Sequence, residues 1–148
     1  MKALYKYIIT LAVLLAALAC LAGVSAGGQK PPPPAEPPAD CSCAECGMYV
    51  RDKFGAQIIF TSGKAAHFCD TGDLFVYYDV SKKKDTMAAV YVKDFPSGTW
   101  TDGRAAYYIA GTSVKTPMGY GILAFRDRAQ AEKYGGVKGG ERFTRSTG

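Results

Sequence analysis

A single histidine, His67, and a single tryptophan, Trp100, occur in 148 residues. No paired general acid and base, nucleophile–base pair or phosphate-cradling loop is evident, so catalysis is not expected. A strong charge of one sign is also missing. The formal net charge is +5, but Lys2 and Lys6 lie in the leader. Without residues 1–26 there remain 16 basic and 13 acidic groups, or +3, too slight an excess to imply nucleic acid as a partner. The triplet Lys82-Lys83-Lys84 before Asp85 reads as a solvated turn. From Gly27 to Asp40 aromatic and β-branched residues are absent and six prolines are present. That composition excludes a core-forming segment and describes a polyproline-type spacer, extended at about 3.1 Å per residue.

What is present begins with an export signal. Lys2 and Lys6 precede an apolar run from Ile8 to Ala22, and small residues follow, the composition of a bacterial secretory leader. A periplasmic or cell-envelope location is expected. Two processing readings compete: Val24-Ser25-Ala26 fits the small-x-small rule for cleavage, and Leu18-Ala19-Cys20 has the form of a lipobox end, with Cys20 as the lipidated residue. An uncleaved leader would act as an amino-terminal anchor. Membrane attachment through the amino terminus follows from the second and third readings, and a spacer suits a tethered domain. The chain therefore divides into a signal peptide or anchor (1–26), a proline-rich linker (27–42) and a folded part (43–148), enough for one small domain.

Within the folded part the apolar patterns repeat. "AQIIF" and "KAAHF", divided by Thr61-Ser62-Gly63, read as two strands, "DTGDLFVYYDVS" as a helix capped by Asp70 or Thr71, and "AAVYV" as another strand. "AAYYIAG", "MGYGILAF", "DRAQAEKYG" and "GERFTR" repeat that order, with Asp127 as the second cap and Gly135 as the closing residue. At an offset of 57, Phe68 meets Phe125, Asp70 meets Asp127 and Tyr77 meets Tyr134. The fold class expected is α+β: two similar β-β-α-β lobes, about 43–97 and 98–148, each too small to bury its own sheet face and so sharing a core. Tyr78, Tyr91, Trp100, Tyr107 and Tyr108 are expected to line that core or its rim as packing residues. Met87 reads as a packing residue at the entry to a strand.

Sulfur is concentrated at the start of this part. Four cysteines, Cys41, Cys43, Cys46 and Cys69, follow the leader. An even count in an oxidising compartment suggests disulfides. Bridges among the first three would close very small loops of little stabilising value, which leaves Cys69 as the one partner able to staple the domain. In Cys46-Gly47-Met48 an extended backbone would point both side chains to one face, with Cα atoms about 6.6 Å apart. A thiolate with a thioether selects Cu(I) over hard ions and over Zn(II). Met48, beside Tyr49 and Val50, reads equally as a core residue. His67 and Cys69 at i and i+2, joined to Cys43 and Cys46, have zinc-site spacing, and His67 is also a candidate copper ligand; a lone histidine at a sheet edge is more often just packed or exposed. Cys43 and Cys46 form C-x-x-C, the pairing of thiol-disulfide oxidoreductases, here without the helix amino terminus and βαβ setting that lower a thiol pKa.

Taken together, "CAECGMYV", "AQIIF", "HFCDTGDLFVYY" and "TPMGYG", in that order, resemble the NosL family, the exported accessory proteins of nitrous oxide reductase maturation. The resemblance runs from Cys43 to about Thr144. It implies two β-β-α-β lobes and a Cu(I)-binding chaperone, typically a lipoprotein, that supplies copper to the copper centres of nitrous oxide reductase. It implies Cys46 and Met48 as ligands, with Met118, flanked by Pro117 and Gly119, brought over them from the second lobe to complete a trigonal sulfur site. Many relatives have a cysteine near the position of Asp73, whereas this chain has Cys69. Cys43 would be a transient fourth ligand or a thiol that pairs with Cys46 when the site is empty. The rival expectations are a thiol-disulfide oxidoreductase acting through Cys43 and Cys46, and a zinc- or disulfide-stapled periplasmic module.

Overall fold

The structure, a computed structural model, describes residues 30–51, 53–81, 84–135 and 138–139. The leader with Cys20, the first two lysines of the basic triplet and the "GERFTR" segment lie outside the described residues. The described residues from Pro31 onward form one compact unit. No helix among the described residues is long and apolar enough to cross a membrane.

In chain order the elements are β1 (Ala56–Phe60), β2 (Ala65–Phe68), α1 (Thr71–Val80), a single 3-10 turn (Lys84–Thr86), β3 (Met87–Lys93), β4 (Trp100–Asp102), β5 (Tyr107–Ile109), β6 (Leu123–Phe125), α2 (Arg128–Glu132) and β7 (Lys138–Gly139). They build two antiparallel sheets, ordered β2-β1-β3-β4 and β6-β5-β7. In each, the first strand of the unit sits between the second and the last, so the expected α+β fold of two β-β-α-β units is the one observed. One detail differs from the periodic reading: Trp100–Asp102 adds an edge strand to the first sheet, although it lies past residue 97 in sequence. Lys138–Gly139 pairs with β5 in the second sheet, and the expected "GERFTR" strand lies outside the described residues.

The local causes are visible in the residues. β1 is buried along nearly its whole length, as suits a strand covered on both faces. Asp70 and Asp127 have extended backbones, and each accepts a hydrogen bond on its carboxylate from the amide two residues on, Gly72 at 2.7 Å and Ala129 at 2.8 Å. Both helices are thus capped in the same way, 57 residues apart.

Register assigns the faces of the first sheet. Ile58 pairs with Ala66 and Val90, and Ala56 with Phe68 and Val92; these side chains join Leu74, Phe75 and Tyr78 of α1 in a core that also takes Tyr108 and Ala124 from the second half. Phe75 and Tyr108 meet edge to face at 5.0 Å between centroids, which couples the two units. A smaller cluster of Ile109, Leu123, Phe125 and Ala131 packs under Phe54 and Phe95.

The opposite face carries Gln57 with its partners His67 and Tyr91, and over it runs part of the proline-rich stretch. Ala35 bonds the fully buried Gln57 amide through both its N–H (3.3 Å) and its carbonyl (3.0 Å), and Tyr91 donates its hydroxyl to the Pro32 carbonyl at 2.8 Å. Glu36 accepts from Lys93 Nζ at 2.8 Å and from Trp100 Nε1 at 2.7 Å, while Lys93 lies 4.1 Å from the Trp100 ring centre. A buried glutamine in a central strand needs such partners. Residues 32–38 therefore serve as a strap on the sheet.

Candidate metal centre

Residues 41–50 fold into a tight hairpin. Cys43 donates its amide to Met48 O at 2.7 Å, Gly47 to Cys43 O at 3.0 Å, and Val50 to Cys41 O at 3.0 Å. Gly47 closes the loop at φ +77°, in the left-handed region that a Cβ disfavours. The Cys46-Gly47-Met48 segment is consequently a turn, and the same-face rule for an extended strand does not apply to it. Cys46 points inward and is half-buried, whereas Met48 is 51% exposed.

One bond sets this hairpin against the end of β2: Ala44 donates to His67 O at 2.8 Å. Cys43 and Cys46 are thereby brought to Cys69, just past β2, and to Asp73 in the first turn of α1. One ligand atom from each of these four side chains lies within 4.8 Å of the other three. Cys46 Sγ is 3.4 Å from Cys69 Sγ, and the thiols of Cys43 and Cys69 both donate to Asp73 Oδ2, at 3.2 and 3.4 Å. Cys43, Cys69 and Asp73 are buried, and Asp73 Oδ1 has no hydrogen-bond partner. All four cysteines of the described region, Cys41 included, are unbridged.

Burial dominates the electrostatics here. It pushes the Cys46 thiol upward, against the pull of the Met48 amide, and pushes Cys69 far up, helped by hydrogen bonding to Cys46 and Asp73 and by the neighbouring Cys43. These two thiols hold their protons at neutral pH, and a metal must displace them.

The second half contributes the loop Thr116–Gly121. Met118 donates its amide to Asp70 Oδ2 at 2.9 Å, and Tyr120 lies on Gly72, where an added Cβ would stand 2.7 Å from Tyr120 Cβ and nearer still to the ring. Desolvation, then the charges of Asp73, Asp70 and Glu45, raise the Tyr120 hydroxyl. Met118 is 37% exposed. Both methionines singled out in the sequence thus stand on the solvent side, Met48 on the hairpin and Met118 on a loop fastened to the α1 cap.

His67 stays out of the group. Its register places it on the strap face with Gln57 and Tyr91, while Cys43 and Cys69 belong to the core side. Its Nδ1 is buried without a partner, and burial lowers its pKa. Asp73 takes the place that a histidine would fill. An acid in the first turn of a helix ordinarily reads as a response to the helix dipole. The signal that marks Asp73 is its spacing, one turn after Cys69 across the helix start.

Fold and site together define a small α+β protein of duplicated β-β-α-β units with a trithiol–carboxylate cluster, buried except at Cys46, at the junction of hairpin and helix. The sequence profile of the NosL family matches residues 34–146, and the chain belongs to that family. It is 29% identical over 108 residues to the copper-binding lipoprotein NosL of Stutzerimonas stutzeri, a match covering 66% of this chain and 56% of that protein's length. The crystal structure of the copper chaperone NosL from Shewanella denitrificans has the same fold, with a TM-score of 0.64 at 22% identity, over 73% of this chain and 94% of that one. Both relatives are named for copper, not for catalysis.

Proposed function

We propose that this chain is an exported Cu(I) chaperone that delivers copper for assembly of the copper centres of nitrous oxide reductase. Cys46, Met48 and Met118 are its transfer ligands. The observation that carries the reading is the position of Cys46: half-buried, with its sulfur 3.4 Å from a buried thiol and exposed Met48 two residues along the same turn. Thiolate and thioether are soft donors suited to Cu(I). An ion held at such a rim by two or three sulfurs keeps an open position, through which an acceptor's ligand enters before the donor's leaves. The fastening of the Met118 loop to Asp70 supports a contribution from the second unit. Attachment to the membrane through the amino terminus, by lipidated Cys20 or by the leader itself, would keep the chaperone in the cell envelope.

The burial of Cys43, whose thiol is tied to Asp73 Oδ2 at 3.2 Å, argues against a thiol-disulfide oxidoreductase, whose attacking cysteine must be accessible. The test is anaerobic transfer from the copper-loaded domain to copper-free nitrous oxide reductase. Transfer with gain of reductase activity is expected, reduced for Met48→Ala and Met118→Ala. Tight retention of copper in the presence of the acceptor would overturn the chaperone role.

A further inference from the structure

The three thiols of the cluster and the two proposed methionine ligands together offer five sulfurs, more than one low-coordinate ion can use. With Cys46, Met48 and Met118 as the outer donors, Cys43 and Cys69 remain, buried with Asp73. Cys46 is the half-buried thiol of the three, 3.4 Å from Cys69 Sγ and two residues from exposed Met48. We propose that Cys43 and Cys69, with Cys46 as a bridging thiolate, form an interior site for a second Cu(I), so that the loaded domain carries a two-copper, thiolate-bridged unit. The inference rests on the reading of Cys46, Met48 and Met118 as the outer ligands.

Three observations support it. The sulfurs of Cys43, Cys46 and Cys69 lie within 4.8 Å of one another, as donors to a common ion must, and the Cys46–Cys69 pair, at 3.4 Å, is hydrogen-bonded and not joined by a disulfide. Asp73 Oδ2 accepts hydrogen bonds from both interior thiols and so orients them toward one point before any ion arrives. Asp73 Oδ1 is fully buried and unpartnered, which is costly unless the pocket is completed by something else. Three sulfurs and no histidine favour Cu(I). The carboxylate makes Zn(II) the competing occupant, because zinc accepts oxygen donors readily. Asp73 is accordingly a positioning residue for Cu(I) and a ligand only if zinc binds.

Anaerobic Cu(I) titration against a competing chelator counts the ions. The parent domain is expected to take two equivalents, and Cys43→Ser and Cys69→Ser one each. Because a buried substitution can unfold the domain, the parent supplies an independent readout: X-ray absorption at two equivalents is expected to show a copper–copper vector, absent in the variants. Saturation of the parent at one equivalent without that vector overturns the interior site. If Met48→Ala and Met118→Ala still bind both ions as tightly as the parent, the outer assignment fails and the interior one stands. Tight Zn(II) binding that withstands Cu(I) and is lost in Asp73→Asn overturns the choice of copper.

Discussion

The amide of Met118 is bound by Asp70 Oδ2 at 2.9 Å, while Oδ1 of the same carboxylate caps α1 through Gly72 at 2.7 Å. One buried side chain thus fixes both the helix that presents Asp73 and the loop that carries a proposed copper ligand. Losing the cap alone costs about 1 kcal/mol, and leaving a second amide unsatisfied adds about 1–3 kcal/mol. Asp70→Ala is expected to lower stability by about 2–4 kcal/mol in total, read as a fall in the urea midpoint at unchanged slope. Its Cu(I) affinity should fall as well, with Asp70→Asn intermediate in both.

Gly72 and Tyr120 should behave as a coupled pair. Alanine in a helix is ordinarily better than glycine by about 1 kcal/mol, but here the added Cβ meets the base of the Tyr120 side chain, which cannot swing away without moving its loop. Gly72→Ala is therefore expected to destabilise the protein and weaken copper binding. In a Tyr120→Ala background the same change should become neutral or stabilising. A double-mutant cycle showing no interaction between the two would contradict the docking of that loop.

Much of this fold is legible in the chain. The apolar runs at 56–60 and 87–93 and the aspartates at 70 and 127 announce their elements, because period and cap are local properties. Met87, expected as a packing residue at a strand entry, is the first and a buried residue of β3. What escaped depends on tertiary structure. The left-handed Gly47 turns a presumed strand into a hairpin tip, Trp100–Asp102 becomes a strand only because the β3 edge is there to pair with, and Asp73 joins the thiols because the hairpin folds back onto α1. Residues 32–38 similarly read as a spacer until the buried Gln57 that needs them is seen.

The strap should release with acid. Lys93 holds the Glu36 carboxyl below its ordinary value, mainly by hydrogen bonding, with burial opposing and Trp100 assisting. A depressed carboxylate contributes stability above its unfolded-state pKa and loses it as pH falls through the lower folded-state value. Glu36 is well exposed, so the contribution is small, below about 1 kcal/mol. Trp100 is the sole tryptophan and bonds Glu36 directly, so its fluorescence should change over that acidic range. In Glu36→Gln the acid transition in emission is expected to vanish.

Methionine sulfur from both units is proposed to meet copper. That contact is tested most directly by following the methionine methyl groups by NMR as the soluble domain is loaded anaerobically with Cu(I) to saturation. Met48 and Met118 should shift on loading, and buried Met87, in the core at the start of β3, should not. Copper bound with the Met48 and Met118 methyl signals unmoved would rule out both methionines as ligands.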